Sequence, residues 1–162
     1  MERYFEKISF EQFKKDIKDD KDLYDKYELP IRKTKASAGY DFLAIEDFEI
    51  EPGQIKKIPT GIKAKYPEDE MLMLFVRSSM GFKWNVRMCN QVGIIDADYY
   101  NNPDNEGHMW IALQNEGDRT FKVKAGEGFG QGVFVKYNCV SNEEKVENER
   151  TGWSGKPEKE GR

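Results

Sequence analysis

Histidine and cysteine are scarce in this sequence, and both shortages narrow its chemistry. His108 is the only histidine in 162 residues. Ser-His-Asp and Cys-His nucleophile systems and multi-histidine metal centres are therefore excluded. Any hydrolysis must rest on carboxylates, hydroxyls, arginine or lysine, and a metal carried by the substrate. The two cysteines, Cys89 and Cys139, have no CxxC spacing, so neither a disulfide framework nor a zinc site is expected. They read as buried thiols of a cytosolic protein. No apolar core of a signal peptide follows the start, and no apolar run approaches the length of a membrane span. A soluble, cytoplasmic protein without a membrane partner is expected. A basic excess is missing too: the net charge is −4, which argues against direct DNA or RNA binding. It leaves room for a small anionic ligand, for which one local cluster of donors suffices. No internal repeat occurs.

What is present describes one folded domain. At this length about two thirds of the unfolded chain's surface can be buried. The chain is 35% charged and 38% hydrophobic, and at 13% aromatic it is too rich in rings for a disordered segment. Near the start, Ser9 and Gln12 have the spacing of a capping box. Phe10, Phe13 and Ile17 recur at helical intervals, with Lys14, Lys15, Asp16 and Lys18 on the charged face. The pattern predicts a short helix over about residues 10–18, broken by Asp19–Asp22. Residues 9–27 read as a helical appendage without chemistry. From residue 31 the rhythm changes to short strands: 38–45, 55–58, 62–66, the apolar run 71–76, 109–113, 120–123 and 132–137. Turn signals such as Glu51-Pro-Gly53 and Asn115-Glu-Gly117 punctuate them. The expected architecture is all-β, a sandwich or barrel, occupying residues 1–140. Residues 141–162 are charged and glycine-rich, and read as a flexible C-terminal arm.

Three stretches offer chemistry. Arg77-Ser78-Ser79 follows the apolar run, placing a guanidinium fork and two hydroxyls where a strand emerges. That combination suits phosphate oxygens, and equally an ordinary turn with a surface charge. Gly93-Ile-Ile-Asp96-Ala-Asp98-Tyr99 reads as a strand delivering carboxylates to a rim, with alternation turning Asp96 and Asp98 to one face. A carboxylate there could activate water or help hold a metal; a solvated turn is the plain alternative. Gly126-Glu-Gly-Phe-Gly-Gln131-Gly lacks the strand–loop–helix setting of a nucleotide-binding loop. It reads as a flexible turn leading to Gln131 at a strand entry.

Order and spacing say more than any one stretch. Ala38-Gly-Tyr-Asp41, Arg77-Ser-Ser79, Asn90-Gln-Val-Gly-Ile-Ile-Asp96-Ala-Asp-Tyr99, Gly126-Glu-Gly-Phe-Gly-Gln131 and Arg150-Thr-Gly-Trp-Ser-Gly155 together resemble the five ordered motifs of trimeric dUTPases. The resemblance covers roughly residues 30–155. It implies a jelly-roll-like β barrel of the β-clip type, assembled as a homotrimer with active sites between subunits. It further implies Mg²⁺-dependent hydrolysis of dUTP to dUMP and pyrophosphate, with the ion held by phosphates and water and by no direct protein ligand. By the same resemblance Asp96 is the general base and Tyr99 packs under the deoxyribose. Asn90, with the hairpin backbone from Gly93 to Ile95, reads uracil. Arg77, Ser78, Ser79 and Gln131 hold phosphate oxygens, and Asp41 positions the arginine of the last motif. Arg150, Trp153 and Ser154 close over the substrate.

Two departures from the family pattern stand out. Tyr99 is followed by the lengthened turn Tyr100-Asn-Asn-Pro-Asp-Asn-Glu-Gly107, and the last motif is short, with Trp153 where Phe is usual. Two rival readings follow from the same likeness. A dCTP deaminase shares this fold, but Ala112 stands where its reaction needs a glutamate. A catalytically weak, dUTPase-like nucleotide sensor would be expected to lose Asp96 first, and Asp96 is intact.

Overall fold

The computed structural model describes residues 2–151, and within them every strand pairing is antiparallel. In chain order the elements are β1 (Tyr4–Lys7), α1 (Phe10–Asp16), α2 (Lys21–Lys26), β2 (Tyr40–Leu43), β3 (Phe48–Ile50), β4 (Ile55–Pro59) and β5 (Ile62–Lys65). Then come β6 (Glu70–Phe75), α3 (Ser78–Trp84), β7 (Val86–Met88), β8 (Gly93–Asp96), a 3-10 turn (Ala97–Tyr99), β9 (Trp110–Asn115), β10 (Phe121–Val123) and β11 (Gly128–Lys136). They form a four-stranded sheet in the order β2-β11-β6-β8 and a three-stranded sheet in the order β4-β9-β7. Two pairs, β1-β5 and β10-β3, complete the barrel. The all-β architecture expected from the strand rhythm is present, and it fits the jelly-roll-like barrel that the resemblance implies.

Strand alternation builds the core. In β9, Ile111, Leu113 and Asn115 point inward, and in β6 Leu72 and Leu74 do so. They meet Phe42, Ile50, Met80, Met88 and Phe129. The run 71–76 is thus not uniformly buried. Met71, Met73 and Phe75 lie on the opposite, half-exposed face of β6, beside Val133 and Val135 of β11 and Ile94 of β8.

The N-terminal segment differs from the expected single helix. Ser9 caps α1 by accepting the Gln12 N–H at 3.1 Å, but the helix ends at Asp16 rather than residue 18. Asp20 then accepts the Leu23 N–H at 3.0 Å and starts a second helix. The acidic stretch taken for a break is therefore an N-cap, the role for which a short carboxylate competes best. Ahead of both helices β1 pairs with β5, Tyr4 opposite Lys65. Phe13, fully buried, stacks on Tyr27 at 5.7 Å. The appendage is thereby part of the core.

The glycine-rich run is also not a flexible turn. Gly126 alone adopts the left-handed turn conformation, φ +86°, while β11 starts at Gly128 and Gln131 lies inside it. A Cβ on Gly128 would come within 2.8 Å of the Arg77 guanidinium, and one on Gly130 within 2.8 Å of Ile111. Close approach selects these glycines. Nor are the cysteines buried: Cys89 is half-buried and Cys139 exposed. From Tyr137 to Thr151 there is neither helix nor strand. No helix among the described residues is long and apolar enough to cross a membrane.

Candidate active site

β7 and β8 are consecutive, yet they do not pair with each other. β7 is an edge of the three-stranded sheet and β8 an edge of the four-stranded one. The hairpin that the resemblance implies here is therefore not closed by pairing of its own arms, which splay to join two sheets. The turn between them is held by the Gln91 N–H to Met88 carbonyl bond, 3.0 Å, with Gln91 in the left-handed region. Two strand edges then border one cleft of about 420 Å³, and edge strands carry N–H and C=O groups free of ladder bonds. Met88, Cys89, Asn90 and Gly93–Asp96 line it from one side, Lys57, Trp110 and Ala112 from the other. The volume suits a small-molecule site. Gly93 is buried, and a Cβ there would press to 3.1 Å on Leu74.

Asp96 ends β8, and its side chain is 59% exposed, so water reaches it. Asp98 lies one step on, in the 3-10 turn. The two carboxylates are therefore not brought together by strand alternation, as the sequence suggested, but by Arg150. Its guanidinium donates to Asp96 at 2.5 Å and to Asp98 at 2.8 Å. The bond to Asp98, with both negative charges, raises the Arg150 pKa above its ordinary value. The Arg150 guanidinium also lies 5.8 Å from the centre of the Tyr99 ring. Tyr99 is buried, and burial pushes its hydroxyl up to about 12, so it stays neutral and donates to the His108 carbonyl at 2.9 Å.

A second cleft, lined by Lys33, Ser37–Gly39, Asp41, Phe75, Arg77, Ser78, Ser79, Gln131 and Val133, gathers the remaining candidates. Arg77 donates to the Gly128 carbonyl at 3.2 Å and faces Asp41 at 3.6 Å. Gln131 donates to the Val76 carbonyl at 3.1 Å, which leaves its side-chain oxygen toward Gly39. Ser78 and Ser79 open α3 and are exposed. This cleft has the donors an anion needs and the first has a carboxylate and an apolar wall. They share no lining residue. On β6, Leu74 lines the first and its neighbour Phe75 the second, and successive strand residues point to opposite faces.

Asn90, Gly93, Ile95, Asp96, Tyr99 and Arg150 thus come together, as do Asp41, Arg77, Ser78, Ser79 and Gln131. Within the chain Asp41 meets Arg77 and not Arg150. Trp153 and Ser154 lie outside the described residues. Lys57, Cys89 and Trp110 of the first cleft and Lys33 of the second were not found from sequence. No motif marks them, and only the sheet geometry brings them in.

The family model described as dUTPase matches residues 25–158. The chain is 45% identical over 128 residues to the deoxyuridine 5'-triphosphate nucleotidohydrolase of Lactococcus lactis subsp. lactis, a span covering 78% of this chain and 85% of that one. With the enzyme of the same name from Actinobacillus succinogenes it shares 35% identity over 140 residues, 80% of this chain and 89% of the other. The crystal structure of dUTPase from Streptococcus mutans superimposes with a TM-score of 0.68 at 39% identity, covering 85% of this chain and 98% of that one. A mutant dUTPase of Staphylococcus aureus phage phi11, a protein that coordinates a structural Mg(II) ion, shares the fold at 20% identity with a TM-score of 0.66, over 91% and 98% of the two chains.

Proposed function

The chain belongs to the dUTPase family, and from that membership we propose how its two clefts divide the hydrolysis of dUTP to dUMP and pyrophosphate. The first cleft takes the nucleoside. Uracil offers alternating acceptors and a donor, and it inserts between the facing edges of β7 and β8. Backbone groups from Gly93 to Ile95 and the Asn90 amide pair with it there. The amino group of cytosine would bring a donor against a donor, and the methyl group of thymine would strike the wall. The deoxyribose lies on the Tyr99 ring, where a 2′-hydroxyl has no room.

Asp96 holds a water and takes its proton as the water oxygen bonds to the α-phosphorus. The bond from that phosphorus to the bridging oxygen breaks, and pyrophosphate leaves with its electron pair. Arg77, Ser78, Ser79 and Gln131 bind the phosphate oxygens and offset the charge that develops there. Among the described residues no cluster of three His, Cys, Asp or Glu side chains could hold a metal ion. An ion here would be bound by the triphosphate and water. Mg²⁺ in that position supplies further neutralisation of the phosphates. In the free chain Arg150 occupies the Asp96 carboxylate. Substrate phosphates would draw it off, freeing the base while the arm, with Trp153 and Ser154, closes above the nucleotide. Asp41 would then position the Arg150 of a neighbouring subunit. We assign the reaction to the cytoplasm.

The observation that carries this reading is the separation of the clefts. The carboxylate and the anion donors share no lining residue within one chain, which supports a site that draws them from two subunits. The apolar outer face of Met71, Met73, Phe75, Val133 and Val135, half-buried in the single chain, suits such an association. A homotrimer supplies three sites of this kind. Deamination has nothing to support it: Ala112 lines the first cleft and offers no carboxyl group.

The test is subunit complementation. Asp96→Asn and Arg77→Ala are each prepared, refolded together in equal amounts, and assayed for pyrophosphate release from dUTP with Mg²⁺. Interfacial sites recover about a quarter of wild-type activity, because one site in four then draws both intact residues. Sites contained within single chains recover none, and that result would overturn the arrangement. Parallel assays with dCTP, dTTP and UTP test base and sugar selection.

A further inference from the structure

The two parts of the chain that depart most from the family pattern touch each other, and they meet behind Tyr99. The family match begins at residue 25, so the strand–helix segment before it lies outside the match. The lengthened turn after Tyr99 is likewise unusual. Glu106 in that turn accepts from the backbone N–H of Ser9 at 3.0 Å and from the Ser9 hydroxyl, and it pairs with Lys63 at 3.3 Å. Tyr100 donates to Glu6. His108, fully buried, closes the turn. Its Nε2 accepts the Gly61 N–H at 2.9 Å, which leaves Nδ1 to donate to Asp16 at 2.6 Å. Gln12 also donates to Asp16, at 3.0 Å.

The turn itself is wrapped around Tyr99. Asn102 donates to the Tyr99 carbonyl at 3.0 Å and to the side-chain oxygen Oδ1 of Asn105 at 2.9 Å. Asn105, buried, then donates to the Tyr99 hydroxyl at 3.0 Å and to the His108 carbonyl at 3.3 Å. A Cβ on Gly107 would come within 2.5 Å of the Tyr99 carbonyl, and Asn101, Glu106 and Gly107 all have positive φ. So tight a turn keeps its shape only where its surroundings over-determine it. The hydroxyl end of Tyr99 is thereby fixed by Asn105 and His108; the His108 ring is held by Asp16 and the turn that carries both residues by the Ser9–Glu106 bonds.

We propose that Asn105 is a positioning residue for Tyr99, and that the N-terminal segment, through Asp16–His108 and Ser9–Glu106, sets the enzyme's discrimination between deoxyribose and ribose. This rests on the reading that the sugar packs on the Tyr99 ring. A ring held at its hydroxyl end cannot tilt to admit a 2′-hydroxyl. A ring released there can, and the loss falls on selectivity more than on turnover of dUTP.

The experiment compares kcat/KM for dUTP with kcat/KM for UTP in the full-length enzyme and its variants. In Asn105→Leu, which removes the donor to Tyr99 at similar volume, the dUTP/UTP ratio falls about five- to tenfold, the worth of one buried hydrogen bond. Asp16→Ala lowers it about two- to fivefold by the same reasoning at one remove, while Asp16→Asn, which keeps an acceptor for His108, restores it. Ile50→Val in the distant β3-β10 pair serves as a control for stability loss and leaves the ratio unchanged. Tyr99→Leu tests the underlying reading. If Tyr99→Leu lowers the ratio and Asn105→Leu does not, the inference is overturned while the sugar assignment survives. If Tyr99→Leu has no effect, the sugar assignment fails and the inference falls with it. A fall in Ile50→Val matching that in Asn105→Leu would reduce the effect to general loosening and would also overturn it.

Discussion

Replacing Asp16 by alanine should destabilise the protein far more than its half-exposed position on a short helix suggests. Its carboxylate is the acceptor for the Nδ1–H of His108, a ring with no exposure to solvent. In Asp16→Ala that N–H keeps its burial and loses its partner, and an orphaned buried donor costs about 1–3 kcal/mol. The lost bond from Gln12 adds a smaller amount, since Gln12 can turn to water. A total of about 2–4 kcal/mol corresponds to a fall in Tm of roughly 4–16 °C for a domain of this size. Asp16→Asn keeps an oxygen 2.6 Å from Nδ1 in place and gives up only the charge on it, so its cost is about 1 kcal/mol. Urea unfolding at fixed protein concentration measures both, the concentration being held because association is linked to folding. The acid side supplies a second check. Burial alone would raise the Asp16 carboxyl, but the bonds from His108 and Gln12 outweigh it and hold it below the usual range. Glu106 is depressed in the same manner by Ser9 and Lys63 against its own burial. A depressed carboxyl contributes stability that is fully present above about pH 4, its unfolded value, and is lost as pH falls through the lower folded value. The gap between wild type and Asp16→Ala should therefore narrow below pH 4. A variant within about 0.5 kcal/mol of wild type at neutral pH, or an Asn variant as unstable as the Ala one, would refute the reasoning, because the orphaned donor is its whole basis.

Asp96→Asn should fold and bind dUTP while kcat falls by about two to four orders of magnitude, the usual loss with a general base; pre-steady-state pyrophosphate release measures it, and undiminished turnover would remove Asp96 from that role. Truncation before Arg150 should leave a folded protein whose kcat/KM for dUTP is strongly reduced, and normal hydrolysis by the truncated enzyme would mean that the arm is not part of the site. Gly39→Ala would set a methyl group 2.3 Å from the Gln131 side-chain oxygen. That amide must swing away, so KM for dUTP should rise about three- to tenfold at a smaller loss of kcat, as expected for a displaced phosphate ligand.

Most of the strands and most of the candidate site residues could be read along the chain, for different reasons. Strands such as Trp110–Asn115 alternate strictly, so a period of two exposes them. Those missed, Tyr4–Lys7, Phe48–Ile50 and Val86–Met88, are three or four residues long, too short for a period to register. α3 went unseen because its first residues were read as a phosphate-binding turn, and because Arg77 at its N-cap makes no side-chain capping bond. The same brevity hides Asp20, which caps a helix of six residues. Candidate residues such as Arg77, Asp96 and Gln131 were visible because motif order survives where local pattern is weak.

Their grouping was not visible, because it depends on non-local pairing. β7 and β8 are four residues apart in sequence, yet they leave the turn for different sheets, and no local signal distinguishes that from a closed hairpin. The difference matters for function. A closed hairpin satisfies its own backbone groups and offers a base nothing, whereas two strands that are edges of different sheets do not bond each other and leave ladder positions open. A planar base that supplies one donor between two acceptors can replace the missing strand, and a base with the wrong pattern leaves buried groups unpaired, which is where discrimination by hydrogen bonding is steepest. His108 follows the same logic at the other end of the turn. As the only histidine it attracts attention as a catalyst, but its ring has both nitrogens bound to Gly61 and Asp16 and no exposure. It holds the N-terminal segment against the loop behind Tyr99, so any influence on the reaction would be exerted through the position of that ring.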